Sequence, residues 1–109
     1  KLHGLHFALL AAVFDNQEQF ADLDQLRAWL QVGAGHCKFV PGPTGRMVAI
    51  PESIAWHRMD DHDFAGHHEK VKDFLRTEHA RAFLWPHLPA QEQDAMVDTI
   101  LGQFEEVER

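Results

Sequence analysis

Tyrosine is absent, cysteine occurs once, and Lys and Arg together number 10 against 17 Asp and Glu. Each shortage excludes something. The single Cys37 cannot close an internal disulfide, so packing must hold the fold, and a solitary thiol suits a reducing compartment; the cytoplasm is the expected location. A formal charge of −7 rules out a uniformly basic surface that coats nucleic acid, because phosphate affinity is drawn from clustered Lys and Arg. Any nucleic-acid site must therefore be local. No apolar run reaches the roughly 20 residues that span a bilayer. The apolar opening Leu5 to Phe14 is followed by no small-residue cleavage pattern, so neither a membrane span nor a signal peptide is expected. Phosphate-cradling loops are missing too. Gly33-Ala34-Gly35-His36 and Pro41 to Gly45 lack the Lys-Ser/Thr of a P-loop and the dinucleotide spacing, and no cofactor is expected.

What is present is enough for one core. The 109 residues fit a single domain, and 45% hydrophobic with 25% charged residues is globular composition that leaves no case for disorder. The chain opens at Lys1 inside a helical pattern without an initiator Met, so a preceding segment is expected. Leu2, Leu5, Leu9 and Val13 recur at helical spacing with Phe7, Leu10, Ala11, Ala12 and Phe14 on the other sides, the pattern of a helix central to a core. Asp22, with Gln25 three residues on, has the form of a capping box. It opens a second helix with the stripe Leu23, Leu26, Trp29 and Leu30, which should stop at Gly33-Ala34-Gly35.

Cys37 to Val40 and Arg46 to Ile50 flank Pro41-Gly42-Pro43-Thr44-Gly45 and read as a β-hairpin, with Ile54 to Met59 as a third extended piece. Asp60, Asp61 and Asp63 start a third helix, with stripe Phe64, His67 or His68, Val71, Phe74 and Leu75, that runs to about Glu78. Ala80 to Leu88 reads as a turn of helix and a packed loop cut short by Pro86 and Pro89. From Gln91 the stripe Met96, Ile100, Phe104 and Val107 predicts a fourth, acidic amphipathic helix. The fold class is thus α+β, a mainly helical single domain of about four helices with a small antiparallel hairpin or three-stranded sheet. Three tryptophans and eight phenylalanines are more than so small a core easily hides, and a homodimer is expected.

Nine histidines raise the question of a metal. His3 and His6 stand one helical turn apart, His62, His67 and His68 share the third helix, and His36 adjoins Cys37. Zinc needs three or four converging N, S or O donors, and these spacings match no standard finger. The expectation is no metal, with His3, His6, His67 and His68 as weak candidates and backbone-bonded, partly buried imidazoles as the simpler reading. An acidic run with nearby histidines could also hold paired ions for hydrolysis, yet Asp60 to Asp63 is explained by helix initiation alone. Cys37 beside His36 lies on an extended stretch whose neighbours point to opposite faces, so it reads as a small hydrophobe rather than a nucleophile. Lys38, Arg46, Arg58, Lys70 and Arg76, with Lys72 and Arg81, are the cations for a local patch, and Trp56 and Trp85 could add base stacking.

Three stretches together resemble a known family. They are His3-Gly4-Leu5-His6-Phe7-Ala8-Leu9-Leu10, Val48 to Trp56, and Met59-Asp60-Asp61-His62-Asp63-Phe64. The resemblance is to a bacteriophage and prophage family of unknown function whose first motif reads like HRKFFALL. More distantly, the order of elements is similar to the lambdoid phage recombination proteins called NinB or Orf, which bind single-stranded DNA. Gly4-Leu5 stands where that family has Arg-Lys. The resemblance implies a non-enzymatic phage accessory protein in a bacterial host cell, with single-stranded DNA as its partner. The alternative is a module that inhibits or recruits a host protein, such as a defence component, through its acidic last helix.

Overall fold

The computed structural model describes residues 2–52 and 59–108. Its elements run α1 (Leu2–Asp15), α2 (Leu23–Gly33), β1 (Cys37–Pro41), β2 (Met47–Pro51), α3 (Asp61–Leu75), α4 (Glu78–Leu84) and α5 (Ala90–Glu108). The α+β class and the dominance of helix agree with the sequence reading. Among the described residues the sheet is a two-stranded antiparallel ribbon. The third extended piece, Ile54 to Met59, falls largely on 53–58, outside the described residues. No described helix is long and apolar enough to cross a membrane.

Local chemistry sets the boundaries. Asp22 caps α2 by accepting from the Asp24 backbone N–H at 2.8 Å, one residue earlier than the capping-box pattern implies. The C-terminal end of α2 is a Schellman turn. Gly35 takes φ +85°, its N–H donates to Val32 O, and the His36 N–H reaches back to Gln31 O at 2.8 Å. Asp60 caps α3 through the Asp63 N–H at 2.7 Å. The third helix stops at Leu75 rather than continuing to Glu78, because Thr77 becomes the cap of a separate helix. Its hydroxyl donates to Phe74 O at 2.7 Å and accepts from the Ala80 N–H at 3.2 Å. The expected turn of helix at Ala80 is accordingly a short helix of its own, α4, which brings the described helices to five.

The core joins Leu9, Leu10 and Val13 of α1 to Leu26 and Leu30 of α2, Val71 and Leu75 of α3, Leu84 of α4 and Trp85 after it, and Val97, Ile100 and Leu101 of α5. Trp85 is wholly buried and its indole N–H donates to Asn16 O at 2.6 Å, which removes it from the candidate stacking residues. Gln93 secures the same region, its amide donating to Trp85 O and Leu88 O. Trp29 lies in an aromatic group with Phe20, Phe74 and Phe83. One end of the bundle is thus packed by aromatics. The ribbon stands apart from this core.

Candidate functional site

Strand pairing sets the ribbon's two faces. Lys38 pairs with Ile50, Phe39 with Ala49, Val40 with Val48 and Pro41 with Met47. The Gly42 N–H donates to Arg46 O at 2.7 Å, which carries the register one pair further toward the turn. By the alternation of a strand, Lys38, Val40, Arg46, Val48 and Ile50 share one face, and Phe39, Pro41, Met47 and Ala49 the other. Apolar groups on both faces meet solvent: Phe39 is 63% and Met47 60% exposed, with Val48 and Ile50 also exposed. Lys38 and Arg46 are exposed, and from His36 to Pro51 no acidic residue occurs. In a chain of net charge −7 the ribbon is therefore a local cationic and apolar feature.

The other described candidate cations lie on α3, at its end and, for Arg81, on α4. Arg58 lies outside the described residues. Lys70 is exposed at the rim of a cleft near the base of the ribbon. Arg76 closes α3, 3.8 Å from Asp73, six residues beyond Lys70 and so turned well away from it around the helix. Lys72 is buried with Glu69 at 3.0 Å, and Arg81 pairs with Asp94 at 2.8 Å.

The second assembly is a row of imidazoles. His6 Nδ1 and His68 Nδ1 lie 2.8 Å apart, so one donates to the other and the two rings hold complementary tautomers. The His6 ring is 5.6 Å from that of His67, which is 5.3 Å from that of His36. His3 sits at the other end, its ring 4.1 Å from Phe64. His6, His67 and His68 are 2%, 7% and 1% exposed. His6 and His68 are thus linked to each other, a contact between two side chains that the sequence reading did not foresee. Burial first, and then the neighbouring His68, His67 and His3, hold the His6 pKa down to about 3. Burial, His36, His68 and Lys70 hold that of His67 down to about 4. Both are uncharged at neutral pH.

This row opens on a cleft of about 340 Å³ lined by Gly35, His36, His62, Asp63, His67 and Lys70, among others. The Schellman turn fixes His36, while Asp63, His67 and Lys70 recur on one face of α3 at four and three residues. His36 Nε2 and His67 Nε2 are buried without a hydrogen-bond partner. Of the weak metal candidates, the structure unites His6, His67 and His68, and adds His36. Among the described residues, no three His, Cys, Asp or Glu side chains are already arranged to hold a metal ion. Cys37 is a free, half-buried thiol. No family model, curated protein or solved structure matches the chain.

Proposed function

We propose that this chain is a non-enzymatic, phage-type accessory module that binds single-stranded DNA along the β1 edge of its ribbon. The observation that carries the reading is the acid-free ribbon itself, with Lys38 and Arg46 on one face and the exposed Phe39 ring on the other. Nonspecific single-strand binding needs cations for phosphates and aromatic faces for bases, and it tolerates any base order. Adjacent residues of β1 point to opposite faces, so Lys38 and Phe39 straddle one strand edge. A flexible strand following that edge can set phosphates against Lys38 and Arg46 and turn a base over the edge on to Phe39. Regular duplex keeps its bases stacked inside and offers no free base face to Phe39.

The test is fluorescence anisotropy of labelled single-stranded and duplex DNA with the wild type, the pair Lys38→Glu with Arg46→Glu, and Phe39→Ala. Preferential single-strand binding that the charge reversals abolish is expected. Loss of stacking in Phe39→Ala should weaken binding by about 1–3 kcal/mol. Equal binding by all three proteins would overturn the assignment.

A second reading, a host-protein partner, is favoured by the same exposed Phe39, Met47, Val48 and Ile50, because uncovered apolar surface on a two-stranded ribbon also suits strand addition by another chain. Binding to neither form of DNA moves the assignment to that partner.

A further inference from the structure

We propose that the cleft between the end of α2 and the first turns of α3 binds a divalent transition-metal ion of the zinc class on His36 and His67, with Asp63 as third donor. Two of the donors are placed by backbone rather than by chance contact. His36 is the residue fixed by the Schellman turn, and His67 stands one helical turn beyond Asp63 on the face that lines the cleft. Their ring centroids are 5.3 Å apart. Two imidazoles bound to one tetrahedral ion through bonds of about 2.1 Å have centroids roughly 5 Å apart. The ring spacing is therefore compatible with a shared ion.

The unsatisfied atoms point the same way. A buried ring nitrogen ordinarily finds a hydrogen bond, yet Nε2 of both His36 and His67 has none. Two residues that line one cleft thus each carry an orphan ring nitrogen, a candidate donor pair. A metal ion binds the neutral imidazole through the lone pair of a ring nitrogen. The carbonyl end of α2, at Ala34 and Gly35, also lines the cleft and carries partial negative charge that favours a cation. Lys70 opposes it from the rim. The exposed Asp63 carboxylate closes the set by side-chain rotation, since the described donors do not already converge in threes. Two imidazoles and one carboxylate leave positions open to water, a pattern compatible with zinc or with other first-row divalent ions.

The experiment is calorimetric titration of Zn²⁺ into the chelator-treated, dialysed chain at neutral pH, with Co²⁺ absorption in parallel. Wild type should take one Zn²⁺ per chain. His36→Ala and His67→Gln should each weaken it by more than roughly tenfold, beyond the loss that even an outer-shell partner brings. Asp63→Asn should weaken it less, Lys70→Ala should tighten it, and His79→Ala, exposed on α4, should leave it unchanged. Absence of stoichiometric Zn²⁺ binding, or binding that survives both His36→Ala and His67→Gln, overturns the site. If His67→Gln fails to fold, the half-buried His36→Ala and the Co²⁺ spectrum decide. Ligand-field bands in wild type that vanish in His36→Ala support the proposal, and bands that are absent or unchanged refute it. DNA binding is read separately, so failure of this site leaves the ribbon assignment standing.

Discussion

Acid should weaken this fold measurably before its carboxylates titrate. His6 and His67 have an ordinary value of 6.5 and are lowered to about 3 and about 4 in the fold. A group whose folded pKa is depressed resists protonation in the native state, so its stabilisation is complete above the unfolded value and is lost as pH falls below it. Each such imidazole costs about 1.4 kcal/mol per pH unit in that window, and the pair together removes roughly 4 kcal/mol between about pH 8 and about pH 5. That is a large share of the roughly 5–15 kcal/mol that holds a domain folded. The groups facing the pair add no relief. His3 and His68 flank His6, His36 and Lys70 act on His67, and Arg27 of α2 lines the same small void as both rings. Urea unfolding followed by circular dichroism, with chelator present, at steps from about pH 8 to about pH 5 measures the effect, since paired carboxylates contribute mainly below that range. His67→Leu removes one titrating ring without stranding a partner, and should halve the loss. An unfolding free energy that stays flat across the window would refute the account of the buried row.

Other expectations concern packing. A methyl group at Gly33 would enter the van der Waals envelope of the Phe74 ring, which packs edge-on against Trp29. Gly33→Ala should therefore destabilise by about 1 kcal/mol net, as overpacking of about 1–3 kcal/mol outweighs the helix propensity regained; thermal unfolding checks it. Trp85→Phe strands Asn16 O and leaves a void beside the core, and should cost about 2–3 kcal/mol in urea unfolding. Gly35→Ala must hold an alanine at φ +85°, so a loss of about 1 kcal/mol or more is expected, and if His36 holds the metal the same change should also weaken Zn²⁺ binding.

Much of this was legible from residue type and spacing. The acids Asp22 and Asp60 marked helix starts because a carboxylate satisfies orphan N–H groups, and Gly33-Ala34-Gly35 marked a stop because glycine accepts a positive φ. Thr77 was missed as a cap because Phe74 to Glu78 continues a helical pattern, and only the hydroxyl's double role breaks it. In α5 the stripe of Met96, Ile100 and Phe104 was right in direction but too narrow. Contact with both α1 and α4 also buries Val97 and Leu101. The histidine row was beyond sequence for a related reason. His67 and His68 are neighbours about 100° apart on a helix and can both be buried only where α3 packs against two partners, α2 and α1. His6 meets His68 across 62 positions of chain, a separation no local pattern encodes. The cations showed the converse. Sequence grouped Lys38, Arg46, Arg58, Lys70 and Arg76; Arg58 lies outside the described residues, while helix phase turns Arg76 away from Lys70 and an ion-pair contact engages it.

The most direct test of the ribbon assignment is the salt dependence of single-strand binding. For single strands, each phosphate neutralised contributes about −0.7 to the slope of log K against log salt, so Lys38 and Arg46 together should contribute about −1.4. Wild type measured by anisotropy at several salt concentrations should show at least that slope. The double variant Lys38→Gln with Arg46→Gln should lose about that much of it while retaining its helical circular dichroism. Single-strand binding with the same salt slope in both proteins, or no binding at low salt, would contradict the claim that the ribbon is the nucleic-acid interface.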